Sequence, residues 1–307
     1  MPEPGQSPQG ALTRRARVVA THGRHLVIET AEGQRLRCHP RGKKTDAVVG
    51  DWVQWAPTGD EGVVESIEER RNLLFRQDEW RTKSFASNLD ALLVLVAVEP
   101  TFGDGQLSRT LIAAASAGVP AWIGLNKVDL AGADTARQRL EPYVRMGVEV
   151  VELALKTQPD ASRALLWERL QGKTSLVLGP SGAGKSTLVN LMVPNAGAQV
   201  GEISRVLNSG KHTTTATRLY RLDSGSPGAL IDSPGFQAFG LHHIAPHDLA
   251  TLMPDIGVHL GECRFYNCTH RQEPGCGVRA AAQRGDIAEA RYAQYSELFD
   301  ELSLKRF

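Results

Sequence analysis

Residues Gly179–Ser186 constrain the fold of this chain more than any other segment. They read Gly-Pro-Ser-Gly-Ala-Gly-Lys-Ser and fit G-x-x-x-x-G-K-[ST], after an apolar run, Ser175–Leu178, and before a helical stretch, Lys185–Met192. A strand, a glycine-rich turn and a helix in that order form a phosphate cradle. Gly179, Gly182 and Gly184 let successive backbone N–H groups face inward, and the helix N-terminus adds partial positive charge. Pro180, Ser181, Ala183 and Thr187 complete the binding segment. Lys185 is expected on the β- and γ-phosphates, and the Ser186 hydroxyl on Mg²⁺. Alone, the loop implies a nucleoside triphosphate bound by an α/β domain.

The surrounding pattern agrees. Ala91–Val98 is a continuous apolar run, as in a strand buried on both faces of a parallel sheet. Leu107, Leu111, Ile112 and Ala115 follow at helical spacing. Ala121–Leu125, Val148–Leu153 and Ala229–Ile231 read as further strands. Upstream, the runs Ala16–Thr21, His25–Thr30, Gln34–His39, Val48–Trp55 and Gly62–Ile67 are split by turn signals and suit a small five-stranded barrel of OB or SH3 type. Downstream lies a cysteine-bearing region that ends in a helix, Asp286–Leu302, with Tyr292, Tyr295, Leu298, Phe299 and Leu302 on one face. The expected division is therefore a disordered tail (1–13), a barrel (14–78), a nucleotide domain (79–239) and a C-terminal domain (240–307).

Three more motifs refine the nucleotide site. Asn126-Lys127-Val128-Asp129 follows the strand Ala121–Leu125. The Asp129 carboxylate can accept from N1–H and the exocyclic amine of guanine, whereas adenine offers neither donor on that edge. Asn126 would help hold the ring and the Lys127 stem would cover it. Asp232-Ser233-Pro234-Gly235 fits D-x-x-G, with Asp232 near Mg²⁺ and the Gly235 N–H toward the γ-phosphate. One of Thr213, Thr214 and Thr215 is expected to close on Mg²⁺, and Thr214 is taken as that ligand. In most GTPases the phosphate loop and D-x-x-G precede N-K-x-D; here N-K-x-D comes first, so the order is circularly permuted. The guanine-supporting loop is expected in Val151–Thr157, around Ala154 and Lys156.

Cys263-x₄-Cys268-x-His270-x₅-Cys276 offers three thiolates and one imidazole, a closed ligand set suited to structural Zn²⁺. The spacing differs from the common C-x₂-C. Cys38 stands apart and is expected to be buried in the barrel.

NKVD, GPSGAGKST, GKHTTT, DSPGF and the cysteine motif, in that order, resemble the circularly permuted, small-ribosomal-subunit-dependent GTPases of the RsgA or YjeQ family. The resemblance covers roughly residues 14–300. It implies an N-terminal OB-fold, a permuted GTPase core, a C-terminal zinc domain, and GTP hydrolysis to GDP and phosphate stimulated by the small subunit late in its maturation. The position after D-x-x-G, often a water-orienting Gln, is Phe236, with Gln237 one residue later. Free turnover is then expected to be slow, with His212 the candidate for positioning water once its loop closes.

Charge bears on the partner. The 307 residues carry a net +1, yet Gly10–Thr45 holds nine Lys/Arg against two acids, a local +7 that suits a phosphate backbone. The longest apolar run, eight residues, is well short of the ~20 a membrane helix needs. No signal peptide is evident. A cytoplasmic monomer with no membrane association is expected. A P-loop kinase or ATPase with a zinc module is the alternative, and an rRNA-binding module timed by hydrolysis is a third reading.

Overall fold

The computed structural model describes residues 13–42, 46–78, 81–193, 195–206, 217–222, 227–233 and 241–304. The N-terminal tail, His212, the threonine run, Gly235, Phe236 and Gln237 lie outside the described residues.

The first five strands are β1 (Arg14–His22), β2 (His25–Thr30), β3 (Arg35–Pro40), β4 (Trp52–Thr58) and β5 (Glu61–Ile67). They pair in the order β1-β2-β3-β5-β4, β3 runs parallel to β5, and β4 returns to β1. That closed order is the OB arrangement, so the choice left open with SH3 falls to OB. Val18, Leu26, Ile28, Cys38, Val53, Trp55 and Val64 fill the interior. Burial pushes the Cys38 thiol up to about 12, as fits a packed, unreactive thiol. A hairpin not foreseen from the sequence follows, β6 (Leu73–Asp78) with β7 (Arg81–Ser87).

The nucleotide domain alternates strand and helix: β8 (Ala91–Ala97), α1 (Asp104–Ser116), β9 (Ala121–Asn126), α2 (Ala133–Arg145), β10 (Val150–Leu153), α3 (Pro159–Leu170), β11 (Thr174–Leu178), α4 (Lys185–Met192), α5 (Ala196–Val206), β12 (Arg218–Arg221) and β13 (Ala229–Asp232). The sheet order is β10-β9-β8-β11-β13-β12, parallel except for β12. The continuous apolar run in β8 has a direct cause. Leu92, Val94 and Val96 enter the layer of α1 and α2, while Leu93, Leu95 and Ala97 enter the layer of α3 and α4. Both faces are covered, and each buried Leu or Val contributes about 1.5–3 kcal/mol by leaving water.

The C-terminal region contains α6 (Pro254–Gly257), α7 (Gly277–Arg284) and α8 (Glu289–Ser303). The last helix starts three residues later than its expected start at Asp286, because Ala288 is the extended residue that precedes it. Its aromatic stripe is core: Tyr295 and Leu298 are buried, and Tyr292, Phe299 and Leu302 pack around them. Leu249, Met253 and Tyr295 share one core with Leu107 and Ile112 of α1. Arg291, buried in α8, donates from Nε and Nη2 to both carboxylate oxygens of Asp255 and from Nη1 to Ser108 of α1.

Barrel and nucleotide sheet are continuous, since Ala20 of β1 pairs with Arg218 of β12. Beside this seam Arg35 of β3 donates to Glu29 of β2 at 3.0 Å, to Glu202 of α5 at 3.1 Å and to Gln199 at 2.9 Å. Arg221 of β12 donates to the same Glu29 at 2.5 Å. The Arg35 and Glu29 side chains are 4% and 5% exposed, so these two ions are shielded from water and are satisfied by protein partners. Arg35→Ala leaves Oε2 of the buried Glu29 without its partner, while Glu202, 46% exposed, turns to water. We expect a loss of about 3 kcal/mol in denaturant unfolding, and a loss under 1 kcal/mol would show that water replaces the guanidinium.

Arg35 therefore does not belong to an open basic face. Arg15, Arg37 and Arg41 pair with Glu68, Glu61 and Glu65, acids more than 20 residues away in the chain, and Arg17 donates to Thr174 of β11. Counting charge along the chain overstates the field, because cross-strand acids distant in sequence answer these arginines. Arg14 and Arg24 have no carboxylate partner among the described residues.

Candidate nucleotide site and metal centre

In a parallel sheet the loops after successive strands emerge on one edge. Ala97 pairs with Asn126, Leu178 with Val94, and Val177 with Asp232, so the ends of β8, β9, β11 and β13 lie level. A cavity of about 640 Å³ opens there, a size that suits a nucleotide. Asn126, Lys127, Asp129, Ser181, Gly182, Gly184, Lys185, Ser186, Thr187 and Asp232 line it. Segments more than 100 residues apart in the chain meet in one place.

The phosphate loop needs glycine for steric reasons. A Cβ on Gly179 would sit 2.0 Å from the Leu95 carbonyl oxygen. Gly184 has φ +108°, and a Cβ there would stand 2.4 Å from Asn126 Nδ2. Lys185 Nζ donates to the carbonyls of Gly179 and Pro180 at 2.5 and 2.9 Å, within its own loop. Burial lowers the Lys185 pKa, with nearby Asp232 opposing; burial raises that of Asp232, with Lys185 opposing. Each favours the charged form of its partner against the effect of burial. Arg218, on the strand beside Asp232, adds a second cation and also lines the cavity, as does Tyr220. Neither was foreseen as a site residue.

Asn126 is buried, lines the cavity, and already has both ends of its amide engaged with protein. Its Nδ2 donates to the Ala183 carbonyl at 2.8 Å and its Oδ1 accepts from Leu155 N–H at 3.2 Å. It thereby ties the phosphate loop to the segment after β10. Lys127 has φ +65° and its Nζ donates to the Glu99 carbonyl, which lays its stem along the cavity wall. Of the segment Val151–Thr157, Leu155, Lys156 and Thr157 line the cavity, while Ala154 is buried.

The metal motif converges as well. The ligand atoms of Cys263, Cys268, His270 and Cys276 all lie within 4.8 Å of one another. His270 Nδ1 is 3.4 Å from Cys263 Sγ and 3.6 Å from Cys276 Sγ. A tetrahedral centre with ordinary Zn–S and Zn–N lengths separates such atoms by about 3.6 Å, so the donor set fits zinc. Burial, then the neighbouring thiols, pushes the Cys268 thiol up to about 12, so the cluster calls for a cation to hold it ionised. Glu273 staples the loop, accepting from Thr269 N–H and Oγ1–H at 2.8 and 2.6 Å. Tyr292 and Tyr295 of α8 donate to the carbonyls of His270 and Thr269.

A parallel sheet whose carboxyl edge carries Asn-Lys-x-Asp, a phosphate loop and a strand-end aspartate, in permuted chain order, defines a circularly permuted P-loop GTPase with an OB barrel and a Cys₃His module. Residues 67–242 match the RsgA GTPase family. The chain belongs to that family. It is 54% identical to the small ribosomal subunit biogenesis GTPase RsgA of Variovorax paradoxus, with 100% of both chains covered. The crystal structure of YjeQ from Thermotoga maritima aligns with TM-score 0.74 at 31% identity over 96% of this chain and all of that one. YloQ, described as a circularly permuted GTPase, aligns with TM-score 0.70 at 24% identity over 99% of this chain, a likeness of fold. Family membership sets aside the kinase and ATPase alternative. Among the described residues no helix is long and apolar enough to cross a membrane.

Proposed function

We propose that this chain binds the small ribosomal subunit, hydrolyses GTP to GDP and phosphate late in subunit maturation, and leaves when the subunit stimulates hydrolysis. One observation carries this reading: the permuted motifs line one cavity in a chain of the RsgA family. Asp129 selects guanine through its carboxylate. Lys185 exchanges its loop carbonyls for the β- and γ-phosphates. Ser186 and Asp232 offer hard oxygen donors and would hold Mg²⁺ with Thr214; bound there, the ion neutralises phosphate charge. Gly235 faces the γ-phosphate, and His212 positions the attacking water. Cys263, Cys268, His270 and Cys276 hold one structural zinc. The protein acts as a cytoplasmic monomer, and its barrel meets rRNA through exposed positions such as Arg24.

The test is GTP turnover with and without purified small subunits. The free chain should turn over slowly, on the order of 10⁻⁴–10⁻² s⁻¹, because Phe236 cannot orient water, and subunits should raise this by about tenfold or more. Absence of stimulation would remove the central claim. His212→Ala should keep nucleotide affinity and lose the stimulated rate; full stimulation in that variant would clear His212 of any catalytic role.

A further inference from the structure

We propose that the tip of the metal loop, Arg264-Phe265-Tyr266-Asn267, is a stacking contact for an unpaired RNA base of the small subunit, with Tyr266 as the platform. This rests on the subunit-binding reading above. The longer spacing between Cys263 and Cys268 places four residues where the common knuckle has two. Those four form a projection. Tyr266 is fully exposed (102%), and Phe265 is 40% exposed. Other aromatic residues of the module do structural work. Tyr292 and Tyr295 spend their hydroxyls on the metal loop, and the Tyr295 ring packs between those of His270 and Phe299. Among the described residues Tyr266 has no hydrogen bond and no ring partner.

The tip is exposed without being loose. Arg264 N–H donates to the Gly275 carbonyl at 3.0 Å, and Cys268 N–H closes a turn on the Phe265 carbonyl at 3.3 Å. Gly275 has φ +70° and its missing Cβ would stand 3.1 Å from that of Arg264, so the two arms of the loop lie in contact. A tyrosine held on a metal-clamped turn loses little conformational freedom on binding, which favours its use as an anchor. The Arg264 guanidinium lies 5.5 Å from the Phe265 ring centre, and among the described residues no carboxylate pairs with it. An aromatic face, a free guanidinium and an Asn amide within four residues match unstacked RNA, which offers a π-face, phosphate charge and base edges together. An apolar protein partner would leave Arg264 and Asn267 to be desolvated unpaired.

Affinity for small subunits, measured with a non-hydrolysable GTP analogue, tests this. Tyr266→Ala should weaken binding about tenfold or more, and Tyr266→Phe should bind like the wild type because the π-face is kept. Zinc content and subunit-free turnover should be unchanged in both. In the full chain, Tyr266→p-benzoylphenylalanine should crosslink to rRNA on irradiation with subunits. Unaltered affinity in Tyr266→Ala, loss in both variants, or crosslinking to ribosomal protein alone would overturn the proposal. Wild-type chain that fails to bind subunits would instead overturn the proposed function, and this contact with it.

Discussion

Asp129→Asn should convert this enzyme from a guanine to a xanthine nucleotide hydrolase. The Asp129 carboxylate has two acceptor oxygens at the cavity, matched to the two donors on guanine N1 and its exocyclic amine. Asparagine replaces one acceptor with an –NH₂ that points at the guanine amine, donor against donor. Two charge-assisted hydrogen bonds contribute about 1.5–3 kcal/mol each, so GTP affinity should fall about 10²- to 10⁴-fold. Xanthine carries a carbonyl where guanine carries that amine, and it should bind the variant well. Competition binding with GTP, XTP and ATP reads the change. Restored binding with XTP separates altered recognition from a damaged fold. Equal loss for all three nucleotides, or undiminished GTP affinity, would show that Asp129 does not read the base.

Removal of zinc should unfold the C-terminal module while leaving nucleotide binding intact. The segment Cys263–Cys276 contains no strand and no long helix, so its shape depends on the four ligands and on Glu273. Binding to such sites is worth about 10–16 kcal/mol in isolated zinc-finger peptides, a large share of what orders this region, whose apolar residues lie at one end of the core shared with α1. Cys276 also precedes α7, where its sulfur accepts from Arg279 N–H at 3.4 Å, so the ligand and the helix start fail together. Chelation, or Cys276→Ser, should abolish hydrogen-exchange protection in α7 and α8 and expose Tyr295. GTP affinity should stay within a few-fold, because the phosphate loop packs with α3 and α4 on the opposite layer. Unchanged protection after complete metal removal would mean that the aromatic packing suffices.

Much of the chemistry was legible because it is local. Gly179–Ser186, Asn126–Asp129 and the cysteine motif each place their groups within a few residues, and the backbone turn follows from composition. The strand β8 was readable because burial on both faces leaves no polar position. The hairpin β6–β7 was not, since Leu73–Asp78 mixes apolar and charged residues and pairs across a register shift between Leu74 and Phe75. Helix α5 was missed too, its two glycines and β-branched residues lowering any helical signal.

The pairing of arginines with acids distant in the chain is hidden in the sequence. Read along the chain, Arg15, Arg17, Arg35, Arg37 and Arg41 are basic surface. In the fold, Arg35 is nearly sealed from water between β2, α5 and β12, and four more meet partners distant in the chain. Asn126 shows the same limit: its place in the motif suggests a base contact, and nothing in the motif tells that its amide also ties two loops together.

Sequence alone determined which reactions are open to this chain, because phosphate cradling, guanine selection and thiolate ligation each need particular groups at short spacing. Tertiary structure decided how the parts are joined. The pairing of β1 with β12, the shared carboxylate of Glu29 and the seating of α8 on α1 bring together residues far apart in the chain. No local pattern encodes such partners; they follow from which buried charges and apolar faces find each other once the sheet has formed.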